Sequence, residues 1–286
     1  MPEGDSVHLL ARRLDRSLQG RTLARSDFRV PRLATRDLAG RTVLEHATHG
    51  KHLLTRFSGD VTLHSHLRMD GSWTVTGAGK QLPRRVQPDV RVVLATTEGP
   101  TAWGQKLHDL DLVATSDERA VVGHLGPDPL RADWDPDEAV RRLLTRPATP
   151  LVSALLDQTL LAGLGNLWVN ELAFLVGRSP WTPVGEVDLP VLVARAATAL
   201  RHSVTAPGAY QVTTGSSRRG ESHWVVGRAG RPCLRCGTTV QVAAELANDA
   251  ANRRTWWCPR CQPGPGPEGR LPHRVVGAGR WEDQAR

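Results

Sequence analysis

The stretch Leu155-Leu-Asp-Gln-Thr-Leu-Leu-Ala-Gly-Leu-Gly-Asn166 joins two segments with helical periodicity, residues 150–161 and 166–176. Its glycines, Gly163 and Gly165, permit left-handed dihedrals, so successive N–H groups can point into one concavity. The dipole of the following helix favours an anion there. Asn166 is suited either to cap that helix or to reach a phosphate. The alternative is an ordinary corner between two helices.

Two further helices are predicted on either side of this stretch. Residues 135–138 (DPDE) are a typical helix start, because they supply an aspartate N-cap, a proline at the first helical position and a glutamate at the capping-box position. A fourth helix follows Asp188. Residues 205–223 are rich in Gly, Ser, Thr and Arg, and we predict that they are mobile. The helical part of the chain therefore covers residues 117–223.

The N-terminal part has a different pattern. Residues 6–19 predict an amphipathic helix that ends at Gly20, because apolar residues recur at helical spacing. Residues 21–116 consist of short apolar runs separated by turn signals, which is typical of a β-sandwich or a barrel-like domain. Within them, residues 77–89 are predicted to form a longer exposed loop. The whole chain is therefore predicted to be multidomain α+β.

All four cysteines fall into two C-x-x-C pairs, Cys233/Cys236 and Cys258/Cys261. In a cytosolic chain this spacing predicts a metal site rather than disulfides. Four thiolates fill a tetrahedral shell, so the metal would be structural. The alternative is two redox-active pairs. Arg253 lies between the pairs, where a zinc-held hairpin would present it to DNA phosphates; otherwise it is solvated.

Charge points to a polyanionic partner. The 286 residues carry a formal net charge of +8, which favours nucleic acid, although such charge can also serve solubility alone. Three lysines occur, Lys51, Lys80 and Lys106; the other basic residues are arginines, which do not readily give up a proton. The chain has no membrane-spanning apolar run and no signal-peptide pattern. We therefore expect a cytoplasmic monomer.

Pro2-Glu3-Gly4-Asp5 follows the initiator methionine. If Met1 is removed, Pro2 presents a secondary amine, and an α-amino group has a pKa near ~8. Addition of such an amine to a sugar aldehyde gives an iminium that stays cationic and acts as an electron sink. Glu3 is a candidate acid/base. The alternative is an ordinary solvated N-terminus.

Several motifs now recur in one order: Pro2-Glu3-Gly4, Gly50-Lys51, His66 to Gly71, His124 to Asp128, Leu156 to Asn166, Glu171 and the four cysteines. Over roughly residues 2–262 the chain resembles the formamidopyrimidine-DNA glycosylase/endonuclease VIII family of helix–two-turn–helix DNA glycosylases, and most of all its actinobacterial endonuclease VIII-like branch. The resemblance implies a catalytic β-sandwich domain (2–116), a helix–two-turn–helix domain (117–223) and a four-cysteine zinc finger (224–262). The tail, residues 263–286, is predicted to be disordered from its composition.

The resemblance implies a bifunctional DNA glycosylase and AP lyase of base excision repair. Pro2 matches the nucleophile that attacks C1′ of the damaged nucleotide, and Glu3 matches the acid/base residue. Lys51 matches a lysine that contacts phosphate beside the lesion and supports catalysis. The reaction ends in β,δ-elimination, and one structural Zn²⁺ is the implied cofactor.

The implied partner is damaged double-stranded DNA. His66 resembles a phosphate-contacting histidine, and Met69 matches the apolar side chain that fills the stack when the lesion is flipped out. Asn166 and Arg253 match residues that grip the phosphates flanking the lesion, and Arg253 is also counted with the catalytic residues.

The chain departs from the guanine-lesion branch in one place. That branch carries an Arg-Phe-Gly loop, whereas the corresponding residues 103–109 read WGQKLHD. This favours oxidised pyrimidines as substrates and leaves the other wedge residues unassigned. The alternatives are an oxidised-purine glycosylase for 8-oxoguanine or formamidopyrimidine, and a non-catalytic damaged-DNA-binding member of the fold. A zinc-ribbon transcription factor would not need this N-terminus.

Overall fold

The computed structural model describes residues 2–243 and 253–267. The N-terminal part consists of a helix and eight strands: α1 (Gly4–Leu18), β1 (Leu23–Phe28), β2 (Val43–His49), β3 (His52–Phe57), β4 (Val61–His66), β5 (Ser72–Thr76), β6 (Val90–Thr96), β7 (Thr101–Gln105) and β8 (Asp109–Val113). The strands form two antiparallel four-stranded sheets, in the orders β1-β6-β7-β5 and β2-β3-β4-β8. Apolar side chains from α1 and from both sheets share one hydrophobic cluster.

Helix α1 begins earlier than the sequence predicted, at Gly4 rather than at residue 6. The backbone N–H of Glu3 donates to Ser6 Oγ at 2.7 Å, and Ser6 Oγ donates to the carbonyl of Glu3 at 2.7 Å. This exchange satisfies a backbone donor that a helix start leaves free. The motif at the N-terminus is therefore part of the first helical turn.

Within the described residues five further α-helices follow: α2 (Arg119–Val122), α3 (Pro136–Leu144), α4 (Leu151–Leu156), α5 (Asn166–Leu175) and α6 (Leu189–Thr205). Helix α3 starts as predicted, because the Asp135 carboxylate accepts the N–H of Glu138 at 2.9 Å. Helix α5 is buried over most of its length within the core of the helical part. None of the helices in the described part of the chain combines the length and apolar composition that a membrane-spanning segment requires.

The end of helix α4 differs from the prediction, and two predicted loop segments contain local structure. Helix α4 ends at Leu156 instead of residue 161, because the Asp157 carboxylate accepts the N–H of Thr159 at 2.9 Å and turns the chain. The exposed loop predicted at 77–89 contains a 3-10 helix, Arg84–Asp89. In segment 205–223, the N–H of Gln211 donates to Ser203 Oγ at 2.9 Å, and the mobility of this segment stays a prediction.

The cysteine-containing part rests on α5. Its strands β9 (Gln241–Ala243) and β10 (Thr255–Trp257) pair antiparallel, and the N–H of Trp256 donates to Asn170 Oδ1 at 2.9 Å. The predicted tail begins in contact with the helical part, because Ser179 Oγ donates to the carbonyl of Pro265 at 2.5 Å. Disorder was predicted for residues 263–286, of which 268–286 lie outside the described residues.

Candidate active site

Three glycines allow the N-terminus, the β2–β3 turn and the turn before α5 to meet. The N–H of Gly4 donates to the carbonyl of Gly163 at 2.8 Å, and a Cβ on Gly4 would lie 2.8 Å from Gly163 Cα. Gly163 has a φ of +98°. A Cβ on Gly163 would lie 3.9 Å from Gly4 Cα and 4.0 Å from Gly50 Cα. Residues that are distant in the sequence therefore form one backbone junction.

The carboxylate of Glu3 caps helix α5 from the other end of the chain. Glu3 is 1% exposed, and its oxygens accept the N–H groups of Gly165 at 2.8 Å, Leu167 at 2.7 Å and Trp168 at 3.3 Å. A Cβ on Gly165 would lie 2.4 Å from Glu3 Cδ, so glycine is required there. The anion expected at this helix start is thus the protein's own carboxylate.

Asn166 does not cap α5, which corrects one of the two roles predicted for it. The N-cap is Gly165, and Glu3 takes the free N–H groups of the first turn. Asn166 instead donates from Nδ2 to the carbonyl of Arg254 at 3.0 Å. Its side chain thereby joins the start of α5 to the segment that contains Arg253 and leads into β10.

The pKa values of Glu3 and Lys51 are shifted in opposite directions, and the charge of each residue affects the pKa of the other. Burial raises the pKa of Glu3 to about 7, although the hydrogen bond from Leu167 and the charge of Lys51 oppose the rise. Burial lowers the pKa of Lys51 to about 8, against the attraction of Glu3 and with the repulsion of Arg253. Both groups therefore gain and lose protons near neutral pH, which acid–base chemistry requires.

The predicted catalytic residues are thereby brought to one place. Pro2 precedes Glu3 directly and is half-buried. Lys51 lies in the two-residue turn between β2 and β3, where His49 pairs with His52. The charges of Glu3 and Arg253 both affect the pKa of Lys51, so these three residues lie close together at the junction.

Met69 lies at an exposed tip. Met69 is 68% exposed and lies between β4 and β5. The preceding residue, Arg68, has a φ of +50° and donates to both carboxylate oxygens of Asp109, at 2.7 and 2.8 Å. Gly71 closes the turn, because its N–H donates to the carbonyl of Leu67 at 2.8 Å. An apolar side chain is thus exposed to solvent on a turn that is hydrogen-bonded on both of its sides.

His66 belongs to a histidine cluster that the sequence reasoning did not identify. His52 Nδ1 lies 2.8 Å from His64 Nε2, and the ring centroids of His52 and His66 are 4.6 Å apart. Burial lowers the pKa of His66 to about 4, although Asp109 opposes the shift. The Nδ1 atom of His66 accepts the N–H of Arg68 at 3.1 Å. Alternating histidines on neighbouring strands were the signal in the sequence.

Two buried carboxylates beside the junction were also missed as organising residues. Asp5 accepts from Trp168 Nε1 at 3.0 Å and from Ser203 Oγ at 2.8 Å. Glu171 accepts the N–H groups of Val225 and Val226, each at 2.9 Å. A carboxylate within the apolar helix α5 was the available signal for Glu171, since buried charges must be hydrogen-bonded.

The four cysteines converge as the spacing predicted. The Sγ atoms of Cys233, Cys236, Cys258 and Cys261 all lie within 4.8 Å of one another. The separations Cys233–Cys261 and Cys236–Cys258 are 4.0 and 3.5 Å. Four thiolates at such distances suit a tetrahedral ion with metal–sulfur bonds of about 2.3 Å. The donor set can therefore hold a metal and leaves no open position for chemistry.

Comparison with known proteins gives consistent matches. The models of the formamidopyrimidine-DNA glycosylase N-terminal domain and H2TH domain match residues 1–125 and 125–211. The chain is 50% identical to a probable endonuclease 8 2 of Streptomyces coelicolor, over 93% of this chain and 96% of the relative. It is 42% identical to the DNA-(apurinic or apyrimidinic site) lyase Nei2 of Mycolicibacterium smegmatis, over 92% and 99%. A solved structure of Lactococcus lactis Fpg with N7-benzyl-Fapy-dG DNA shares the fold, with a TM-score of 0.73 at 23% identity over 92% of this chain and 100% of that chain.

Proposed function

Because the chain belongs to the formamidopyrimidine-DNA glycosylase family, we propose that it is a bifunctional DNA glycosylase and AP lyase of base excision repair. The observation that carries the proposal is the buried Glu3 carboxyl, capped onto α5, with a pKa of about 7 beside Lys51. A catalytic acid/base works best when its pKa lies near the working pH. The relatives named endonuclease 8 and AP lyase support the same activity.

The proposed chemistry begins at the amine of Pro2 after removal of Met1. The neutral amine attacks C1′ and the bond from C1′ to the damaged base breaks. The base leaves with the proton that the amine nitrogen gives up, and a proton from Glu3 reaches O4′ as the sugar ring opens. The product is a cationic iminium between Pro2 and C1′. Loss of a C2′ proton then drives elimination of the 3′ phosphate, and a second elimination releases the 5′ phosphate. The iminium accepts the electron pairs of these steps.

The remaining predicted residues are proposed to hold the DNA. Lys51, Asn166 and Arg253 would contact phosphates around the lesion, His66 would donate a hydrogen bond to phosphate, and Met69 would enter the stack. Extruding a nucleotide costs a few kcal/mol, which an inserted apolar side chain partly offsets. The overall positive charge favours this partner.

We propose oxidised pyrimidines as the favoured substrates. The connection between β7 and β8 comprises residues 106–108, which read KLH and contain no Arg-Phe-Gly element of the guanine-lesion branch. The relatives named endonuclease 8 favour the same choice. An enzyme for 8-oxoguanine or formamidopyrimidine is the alternative.

The finer architecture also belongs to this proposal. It comprises a β-sandwich catalytic domain (2–116), a helix–two-turn–helix domain (117–223) and a zinc finger (224–262). One zinc ion would be held by Cys233, Cys236, Cys258 and Cys261, whose sulfurs have suitable separations. Its chemical contribution would be structural, through the position of the strand pair β9–β10.

Borohydride trapping tests the function. The iminium is reducible, so wild-type protein should crosslink to duplexes that contain thymine glycol or dihydrouracil, and Pro2→Gly, which presents a primary amine, should crosslink more slowly. Mass spectrometry of the mature N-terminus provides the control, because retained Met1 would remove the nucleophile. Crosslinking only to 8-oxoguanine duplexes would overturn the substrate choice. Binding without any crosslink would indicate a non-catalytic member of the fold.

A further inference from the structure

The turn that carries Lys51 is anchored by a residue outside the N-terminal sheets. Gly50 has a φ of +57°, as the first residue of a two-residue type II′ hairpin turn requires. In such a turn this N–H has no partner in the strand ladder. Here it donates to Asp128 Oδ2 at 2.7 Å. The backbone donor next to Lys51 is therefore satisfied by a carboxylate 78 residues away.

Asp128 lies between α2 and α3, in a segment that is hydrogen-bonded to the turn before α5. It is 2% exposed, and its second oxygen accepts the N–H of Leu130 at 2.8 Å. Its neighbours are bound to that turn, because the N–H of Gly126 donates to the carbonyl of Gln158 at 2.8 Å and the N–H of Ala162 donates to the carbonyl of Pro127 at 2.9 Å. The Lys51 turn is thus tied to the same segment that Glu3 caps.

Stability alone gives little reason for a carboxylate at this position. Burial raises the pKa of Asp128 to about 6, although hydrogen bonds from Leu130 and Gly50 oppose the rise. A buried carboxyl whose pKa lies above its unfolded value lowers the free energy of unfolding at neutral pH. The chain keeps an ionisable group where an uncharged acceptor would satisfy one N–H at a smaller desolvation cost. This arrangement favours a role in placing the turn.

We propose that Asp128 is a positioning residue for Lys51, holding the Gly50–Lys51 turn against the turn before α5 so that the lysine faces Glu3. The inference rests on the proposed function of Lys51, and it adds a residue from the helical part of the chain to the proposed active site. Two carboxylates then organise the junction: Glu3 binds the start of α5, and Asp128 binds the lysine turn.

The variant Asp128→Asn tests this role with a spectroscopic measurement. An amide has one acceptor oxygen, and its NH₂ group repels one of the two N–H donors, so the turn loses its anchor. The chain has three lysines, and reductive methylation with a ¹³C label gives each a separate NMR signal, with Lys51 assigned from Lys51→Arg. We expect the Lys51 pKa to rise from about 8 towards the ordinary lysine value as the side chain becomes solvated.

A second measurement follows the chemistry. The single-turnover trapping rate of Asp128→Asn on abasic-site DNA should fall roughly tenfold or more, because small displacements of catalytic groups have large effects on rate. The dissociation constant for the same DNA, measured with borohydride absent, should stay within about twofold, since most phosphate contacts remain.

Asp60→Asn is the matched control. The Asp60 carboxylate accepts two hydrogen bonds from Ser116, one from the backbone N–H at 3.1 Å and one from Oγ at 3.2 Å. It therefore anchors a turn in the same way, between β3 and β4 at the other end of strand β3. This variant should change neither the Lys51 titration nor the trapping rate.

An unchanged Lys51 pKa and trapping rate in folded Asp128→Asn would overturn the proposal. So would a loss of rate that Asp60→Asn shares. If Asp128→Asn does not fold, Asp128→Glu replaces it, since the longer side chain displaces the turn and keeps the charge. An unchanged Lys51 pKa in Asp128→Glu would also overturn the proposal. Absence of trapping by wild type would refute the proposed function, whereas the titration still decides the role of Asp128.

Discussion

Glu3 is both a helix cap and a titratable group. Its carboxylate accepts three N–H groups at the start of α5, which favours the ionised form, whereas burial favours the protonated form and prevails. The outcome is a carboxyl with a pKa of about 7. Structure and reactivity therefore depend on the same atoms.

We predict a specific pH dependence of stability from Glu3. Between its unfolded and folded pKa values, 4.5 and about 7, the folded protein holds a proton that the unfolded chain has lost. The Glu3 contribution to the free energy of unfolding therefore increases as the pH falls through this window, by at most about 1.4 kcal/mol per pH unit. Glu3→Gln lacks this proton, so the Tm of wild type minus that of Glu3→Gln should decrease from pH 5 to pH 8.

The exposed Glu186 gives the control for this prediction. The same Tm difference measured for Glu186→Gln should stay nearly constant across the range. A constant difference for Glu3→Gln as well would mean that Glu3 does not titrate near neutrality. Thermal unfolding in buffers of matched ionic strength provides the measurement.

At the residue scale, the sequence predicted which groups would meet but not how. Pro2, Glu3, Lys51 and Arg253 were identified from motifs, and the structure brings them together. Asn166 was predicted either to cap α5 or to reach a phosphate, because capping residues commonly lie next to the helix that they cap. The true partner of these N–H groups is 162–165 residues away, and no local signal connects Glu3 to them.

At the scale of elements, the β4–β5 turn exposes Met69 to solvent. The turn is held at Arg68 by Asp109 and at Gly71 by the carbonyl of Leu67. The turn that exposes the methionine is thus hydrogen-bonded on both sides of Met69. Such an exposed apolar side chain fits the entry into the base stack that we propose for Met69.

Met69→Ala should lower the trapping rate on duplex DNA more than the rate on single-stranded DNA. Without the wedge, the gap left by an extruded nucleotide stays open, so trapping on duplex abasic DNA should slow roughly tenfold. Single strands have no stack to fill, and their rate should change by less than about twofold. Leu44→Ala is the matched control, because Leu44 is 50% exposed at the far end of β2 from the lysine turn. Equal losses on both substrates would contradict the wedge role.

Predictions for whole elements succeeded where local chemistry decides the structure. Asp135 and Pro136 start α3 as expected, because a cap and a fixed φ act within one turn. The end of α4 was placed too late, because the apolar pattern continues through Leu160 and Leu161. Those leucines are buried by tertiary packing outside the helix, and periodicity alone does not distinguish the two situations.

At the scale of the whole molecule, α5 connects the parts that carry the site. Its first turn binds Glu3. Asn166 binds Arg254 just before β10, and Asn170 binds Trp256 within β10. The order of the parts followed from the sequence, whereas their contact did not. The glycine junction at Gly4, Gly50 and Gly163 depends on missing side chains, and an absent Cβ gives no pattern that identifies its partner.

Removal of the metal should affect DNA binding before it affects the rest of the fold. We expect about one zinc per chain, released by a mercurial that reacts with the four cysteines. The strand pair would then lose its support and Arg253 its place beside Lys51, so the affinity for abasic-site DNA and the trapping rate should both fall, roughly tenfold or more. Removal of the mercurial with added zinc should restore both. Unchanged binding by zinc-free protein would contradict this dependence.

The cap that Glu3 places on α5 also orders events during synthesis. The first residues to leave the ribosome need the N–H groups of Gly165, Leu167 and Trp168 to complete their site. A nascent chain that stops before this point displays its terminal amine without a partner carboxyl held in place. Formation of this cap therefore requires more than half of the polypeptide, because Trp168 is residue 168 of 286.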